Sequence, residues 1–177
     1  MGSTPLASAL FAPGPAAGLE DRLMLFGQFV GSWDVVVTDR EPDGAETVAE
    51  GEWHFGWVLG GLAVQDVWIV PHSRVAGTDR GSIEHGTAVR VYDPDADRWI
   101  VSWSGPRKRR FYRLEARPEG EGIVLRGAHD GVALRWSFSD IHPDRFHWRN
   151  EQSHDGGDTW TLVQWMDVTR RRSADLA

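Results

Sequence analysis

From Gly31 onward, hydrophobic and polar residues alternate with a period of two, which is the pattern of half-buried β-strands. Turn-forming pairs such as Asp130-Gly131 interrupt the alternation at short intervals and predict hairpin connections. One long polar connection, Pro71–His85, suggests a loop that borders a binding site. The pattern predicts ten strands, at residues 32–39, 46–57, 62–70, 86–93, 98–104, 109–117, 122–129, 132–139, 145–154 and 158–168.

The segment before the first strand has the hydrophobic period of a helix. Leu19, Leu23 and Phe26 recur at helical spacing, followed by Val30, and predict one short amphipathic helix in this segment. Prolines interrupt the chain before it, so no further element is expected there. The predicted organisation is a flexible N-terminal tail, a single β-barrel domain and a C-terminal tail, at residues 1–18, 19–170 and 171–177.

Short sequential strands joined by hairpins predict an all-β fold, an antiparallel up-and-down β-barrel of about ten strands with one short N-terminal helix. Closing so large a sheet into a barrel removes its edge strands. No helix-length segment lies between the strands, which excludes a parallel βαβ fold. A sandwich of two sheets remains the alternative architecture.

Composition narrows the class of protein. A length of 177 residues is typical of one domain with a real core. The absence of cysteine excludes disulfides and thiolate metal ligands. A net charge of −7 argues against nucleic acid as a partner. Without a long apolar run or a basic secretory leader, we expect a cytoplasmic protein with no membrane partner.

Aromatic residues point to a cavity. The chain has ten Trp, seven Phe and two Tyr, and alternation places many of them on one face of their strands. On two late strands that face ends in amides, at Asn150 and Gln164. Because a packed core rarely buries unpaired amides, this mixture favours a ligand cavity. The candidate ligand-binding residues are Trp53, Phe55, Gln65, Trp68, Arg90, Trp103, Trp136, Trp148, Asn150 and Gln164.

Candidate acid–base chemistry centres on Gln65-Asp66. Strand alternation turns one of the two inward, and an inward Asp66 would be a desolvated carboxylate with a raised pKa. Arg90 is its natural counter-charge unless it faces solvent. Such a pair either polarises a ligand carbonyl or joins two neighbouring strands, and both interpretations stay open. Asp66 and Tyr92 are the candidate catalytic residues.

The sequence predicts neither a metal site nor a cofactor, because no two histidines have the spacing of metal ligands. The segment SHDGGDTW at 153–160 matches the Asp-box, a β-hairpin motif that sialidases repeat. A single copy predicts a structural role, in which Asp155 caps the turn and Trp160 packs under the hairpin.

Gly31 and Trp33, placed after a helix and before short strands, resemble the opening of the calycin superfamily, which includes lipocalins and fatty-acid-binding proteins. A longer set of features resembles an uncharacterised bacterial family with a lipocalin-like barrel and no settled activity. Those features are GSWDV at 31–35, EWHFGWVLGG at 52–61, QDVW at 65–68, RVYDP at 90–94, RW at 135–136, FHW at 146–148 and SHDGGDTW at 153–160. The resemblance covers roughly residues 20–170 and implies a barrel fold.

Nitrobindins share this barrel and bind haem, and the comparison bears on cofactors. Val35 and Val37 stand where the nitrobindin opening motif has glycines. The last strand of this chain also has no histidine to ligate iron. The resemblance therefore disfavours haem.

Three hypotheses about function follow. The leading one is a small-molecule-binding β-barrel whose aromatic-lined cavity holds an apolar or aromatic ligand. The alternative is a cofactor-free cyclase, isomerase or lyase acting on a natural-product-like substrate inside the same barrel. The third is a filled barrel with a structural or interaction role. The sequence allows a homodimer in each case.

Overall fold

The computed structural model describes residues 4–72 and 84–171. Ten antiparallel strands, each paired with its neighbours along the chain, close into a barrel through the pairing of the first strand with the last. The predicted all-β barrel is confirmed, and the sandwich alternative is excluded. The strands are β1 Gly31–Arg40, β2 Glu46–Val58, β3 Ala63–Val70, β4 Glu84–Asp93, β5 Arg98–Gly105, β6 Arg110–Glu119, β7 Gly122–His129, β8 Val132–Ser139, β9 Arg145–Ser153 and β10 Thr161–Arg170.

Two of the strand starts that differ from the prediction, those of β10 and β4, have local reasons. The Asp-box turn occupies the residues before Thr161, so β10 starts three residues later than predicted and ends at Arg170, opposite Trp33 of β1. β4 begins at Glu84, inside the segment predicted as a loop, because Glu84 pairs with Val70 of β3. Residues 73–83 of that predicted loop lie outside the described residues.

The structure has two helices, α1 at Pro5–Leu10 and α2 at Glu20–Gly27. The predicted helix is α2, and it is shorter than the pattern suggested because Phe29 and Val30 bond to carbonyls three residues back. The other helix was not predicted. No helix in the described ranges has both the length and the apolarity needed to cross a membrane.

The segment after α1 contacts the barrel, in contrast to the flexible tail expected there. Ala12 is buried, and its amide donates to the carbonyl of Trp57 at 2.9 Å. Ala16 N donates to the Gly61 carbonyl at 3.0 Å. Gly61 has a φ of 83°, and a Cβ there would collide with the carbonyl of Gly14. Glycine therefore permits this close approach.

Helix α2 closes one end of the barrel, which we call the closed end. Leu23, Phe26 and Phe29 are fully buried there. The Phe26 ring lies 5.0 Å from Trp99 at a near-perpendicular angle, and Phe29 lies 4.7 Å from Phe146. These distances are those of a filled aromatic core.

Trp33 joins the closed end to the last strand. Its Nε1 donates to the Phe29 carbonyl at 2.7 Å, and the guanidinium of Arg170 lies 4.0 Å above its ring. Arg170 also donates to the carbonyls of Gln28 and Val30 at 3.0 and 2.9 Å. Arg170 thereby connects the end of β10 to the carbonyls that follow α2.

Candidate functional site

The opposite end of the barrel, which we call the open end, holds a cavity in two parts. An inner chamber of about 40 Å³ lies below a vestibule of about 760 Å³. The chamber has room for about three water molecules or for one end of a larger ligand. Both parts are lined by Trp68, Glu84, Lys108, Arg110, Asn150 and Gln164. The chamber is also lined by Trp53, Arg90, Trp103, Tyr112, Trp136, Trp148 and Met166.

Aromatic rings form the wall of the inner chamber. Trp136 is central, with ring centroids 5.4 Å from Trp148, 5.8 Å from Tyr112 and 6.3 Å from Trp103, all edge to face. Trp68 continues the wall at 6.0 Å from Trp103. The strand alternation predicted from the sequence turns these rings inward. Flat apolar walls of this kind suit an aromatic or apolar ligand.

An ion pair lies between the chamber and the closed end. Arg90 and Asp66 are 2% and 1% exposed, and Arg90 Nη1 donates to Asp66 Oδ2. The other carboxylate oxygen accepts from Ala88 N at 3.1 Å. The guanidinium carbon lies 5.1 Å from the Phe26 ring and 5.3 Å from the Phe55 ring. The predicted pairing is therefore present, Asp66 faces inward, and the solvent-facing alternative for Arg90 is wrong.

The carboxylate of Asp66 has little capacity for acid–base work in this arrangement. Both of its oxygens have protein partners, and the residue is not part of the lining of the chamber or the vestibule. Of the two predicted roles for the pair, the contacts favour the joining of β3 to β4. Arg90 itself reaches the chamber wall.

Unpaired polar atoms are concentrated in the residues of the inner chamber. Across residues 4–72 and 84–171, six buried side-chain nitrogen or oxygen atoms lack a hydrogen-bond partner. Five belong to chamber residues: Trp53 Nε1, Trp68 Nε1, Trp136 Nε1, Arg90 Nε and Asn150 Oδ1. A buried polar group without a partner costs about 1–3 kcal/mol, so such a concentration is typical of a site completed by a ligand or water.

Glu84 is a chamber residue that the sequence analysis missed. It is 2% exposed, and its Oε1 accepts from His85 N at 3.3 Å. Burial raises the pKa of nearby Tyr112, the charge of Glu84 adds to this increase, and Arg110 opposes it. The segment around Glu84 resembled a loop, yet Glu84 keeps the alternating spacing of Arg90. Extending that alternation backward would have found it.

Eight of the predicted ligand-binding residues line the chamber, and two do not. Phe55 is buried beneath it and packs against Phe29 at 5.8 Å. Gln65 faces away from the barrel interior and donates to Thr87 Oγ1 at 3.0 Å, because Asp66 takes the inward position. The eight that line the chamber are Trp53, Trp68, Arg90, Trp103, Trp136, Trp148, Asn150 and Gln164.

Tyr92 lies at the closed end, and its prediction as a catalytic residue of the cavity is wrong. Its hydroxyl donates to Asp97 Oδ1 at 2.7 Å, and this hydrogen bond is the main cause of its raised pKa. Trp99 and α2 fill the barrel at this level, and the Tyr92 ring packs against Trp99 at 5.8 Å. Tyr92 is thereby kept from the chamber.

The Asp-box has the structural role that the sequence predicted. Asp155 accepts from Ser153 Oγ at 2.6 Å and from Thr159 N at 2.9 Å, and these bonds hold its pKa well below the usual range. Trp160 Nε1 donates to the Gly157 carbonyl at 3.0 Å. The guanidinium of Arg135 covers the Trp160 ring at 4.2 Å. The motif thus forms the turn between β9 and β10.

Histidines do not contribute to the described cavity lining. His54 and His147 lie on the outer face and bond to Ser32 at 2.9 Å and Asp167 at 2.7 Å. In the described part of the chain, no three acidic or histidine side chains are arranged to hold a metal ion.

The geometry defines a closed, ten-stranded antiparallel β-barrel with a cavity at one end, and comparison with solved structures agrees on the fold. The S-type phycobiliprotein lyase CPES from Guillardia theta matches with a TM-score of 0.58 and 13% identity, over 85% of this chain and 92% of its own. Rv2717c from M. tuberculosis matches with a TM-score of 0.56 and 16% identity, over 92% of this chain and 99% of its own. No protein-family model and no curated protein matches the sequence. At these identities the likeness concerns the fold alone.

Proposed function

We propose that this protein is a small-molecule-binding barrel whose open-end cavity holds an apolar or aromatic ligand. The concentration of unpaired buried polar atoms in an aromatic-walled chamber carries the proposal. A barrel filled for structural reasons would be expected to pair such groups or replace them with apolar ones. Membership in the bacterial family described above, a cytoplasmic location and a homodimer stay predictions.

The two parts of the cavity suggest how the ligand lies. The chamber admits only one end of a drug-sized molecule, and the vestibule above it has room for the remainder. Aromatic side chains predominate in the chamber wall, whereas the vestibule adds further charged side chains such as Asp39, Arg40 and Glu41. We therefore expect the uncharged part of the ligand in the chamber and any charged group in the vestibule.

Binding of a hydrophobic fluorescent probe tests the proposal. N-phenyl-1-naphthylamine should bind saturably, with enhanced probe emission, and raise the melting temperature. At 100 times its Kd it should add about 2.7 kcal/mol to the free energy of unfolding. Asn150→Phe should abolish the response by filling the chamber. Arg149→Phe, which places the same new side chain on the outer face of the same strand, should keep it. Saturable binding that survives Asn150→Phe, or no binding by the wild-type protein, would contradict the proposal.

A second candidate function is a cofactor-free cyclase, isomerase or lyase in the same cavity. The observation that favours it is Glu84, a carboxylate buried in the wall of both compartments. It replaces Asp66 as the candidate acid–base group because Asp66 is engaged by Ala88 and Arg90. A turnover activity that Glu84→Gln removes, while probe binding persists, would establish the enzyme. The fold likeness to a phycobiliprotein lyase is compatible with either function.

A further inference from the structure

The chamber residues offer more hydrogen-bond donors than acceptors among their unpaired buried atoms. Three indole N–H groups and Arg90 Nε donate, whereas Asn150 Oδ1 accepts. Gln164, a polar neighbour in the lining, already donates through Nε2 to Asp39 at 2.6 Å. Because buried donors are stabilised by acceptors, the complementary ligand end carries oxygen acceptors together with one donor for Asn150.

The charges of the chamber argue that these acceptors are neutral. The positive charge of Arg90 is compensated by Asp66, with side chains 2% and 0% exposed. Glu84, 2% exposed, adds a negative charge to the wall. Lys108 and Arg110 are exposed at the rim, where water screens them. An anionic group on the ligand would lose its hydration in the chamber, and no unpaired buried cation among the described lining residues would compensate for that loss. It would also lie close to the buried carboxylate of Glu84, so its binding there would be unfavourable.

We propose that the ligand is a neutral, flat aromatic molecule with a carbonyl group, bound carbonyl end first, and with a hydroxyl group. The inference rests on the proposed function and narrows its ligand. The carbonyl oxygen, which has two lone pairs, accepts from up to two of the unpaired indole N–H groups that Trp53, Trp68 and Trp136 carry. The hydroxyl group donates to Asn150, which lines both compartments. The edge-to-face rings around Trp136 bound the chamber with the flat apolar surfaces that such a molecule needs.

Four naphthalene derivatives of nearly equal size test the ligand class by calorimetry at pH 7. We expect 2-acetylnaphthalene to bind about threefold to tenfold more tightly than its hydrocarbon analogue 2-ethylnaphthalene, because it accepts a buried hydrogen bond. The hydroxyl of 6-hydroxy-2-acetylnaphthalene should strengthen binding further. The anion 2-naphthoate should bind about tenfold or more weakly than the ketone.

The outcomes separate the ligand class from the binding function. Equal affinity for the ketone and the hydrocarbon, no gain from the hydroxyl, or tightest binding by 2-naphthoate would overturn the ligand class and leave a binding barrel. Failure of all four compounds to bind would overturn the binding function itself.

A matched pair of variants tests the role of the indole donors. Trp136→Phe removes an unpaired N–H, so the affinity ratio of 2-acetylnaphthalene to 2-ethylnaphthalene should fall toward one. Trp148→Phe changes a ring in the same wall whose nitrogen is not among the unpaired buried atoms, and it should leave the ratio unchanged. The ratio compares the affinities of two ligands for the same variant. A general loosening of the packing would weaken both affinities alike and would leave the ratio unchanged. Trp68→Phe repeats the test if Trp136→Phe does not fold. An unchanged ratio in the donor variants would overturn the inference.

Discussion

The two ends of the barrel are both built from aromatic rings, yet they differ in whether their polar atoms are paired. At the closed end, the ring nitrogen of Trp33 donates to the Phe29 carbonyl at 2.7 Å, and α2 fills the interior. At the open end, Trp53, Trp68 and Trp136 are also buried, but their ring nitrogens have no partner. Pairing of the polar atoms, rather than burial, therefore distinguishes the core from the candidate binding site.

Arg90 and Asp66 lie at the boundary between the two ends. The guanidinium contacts Phe26 of α2 on one side and lines the chamber on the other. The carboxylate has its own backbone partner on β4. The pair consequently contributes to the stability of the closed end, and Arg90 alone of the two forms part of the chamber wall.

The largest expected effect on stability comes from breaking the Arg90–Asp66 ion pair. Arg90→Met leaves the Asp66 carboxylate buried without its partner and should lower the free energy of unfolding by about 3–5 kcal/mol in urea titrations at pH 7. Adding Asp66→Asn should recover much of the loss because the buried charge is then gone. Arg126→Met, in an exposed pair with Glu119, is the control and should change stability by no more than about 0.5 kcal/mol. A cost for Arg90→Met no larger than the control would contradict this assignment.

An intermediate effect on stability is expected when one tryptophan at each end of the barrel is replaced by phenylalanine. Trp33→Phe deprives the buried Phe29 carbonyl of its donor and should cost about 1–3 kcal/mol of unfolding free energy. Trp136→Phe removes an N–H that has no partner, so its cost should be smaller. Chemical denaturation of both variants checks the difference. Equal costs would show that the indoles of the two ends are paired alike, with water as the partner at the open end.

The smallest expected effect is on the pKa values of the two tyrosines, Tyr92 near the closed end and Tyr112 near the open end. Tyr112 has its pKa raised chiefly by burial, and Tyr92 chiefly by its hydrogen bond to Asp97. Because the fold favours the neutral phenols, their stabilisation is complete below about pH 10 and is lost as the pH rises through the raised values. Absorbance titration at alkaline pH should therefore show Asp97→Asn lowering the pKa of Tyr92, measured in a Tyr112→Phe background.

The effect of Asp97→Asn on Tyr112, at the other end of the barrel, is the control for its effect on Tyr92. In a Tyr92→Phe background, Asp97→Asn should leave the Tyr112 pKa unchanged because burial is its main cause. A parallel shift of both tyrosines would mean that the change disturbs the whole barrel rather than one hydrogen bond.

Much of the fold and part of the site could be predicted from local pattern. Alternation identified the strands, the inward direction of Trp103, Trp136 and Trp148, and the candidate pair Asp66–Arg90. It failed for Tyr92, because alternation specifies the face of a strand but not the level along the barrel axis. It also missed α1, whose short segment has no amphipathic period and is held by contacts of the following residues with β2 and Gly61.

The sequence by itself determined the strand order and the face of most inward residues, because a period of two and hairpin turns are local properties of the chain. Only the tertiary structure decided which inward residues form the core and which line a cavity. That distinction depends on the level at which α2 stops filling the barrel and on whether Trp33 or Trp136 finds a carbonyl within reach. The filling of the barrel depends on contacts between segments far apart in sequence, such as those of Phe26 with Trp99 and Phe138, and strand alternation carries no information about them.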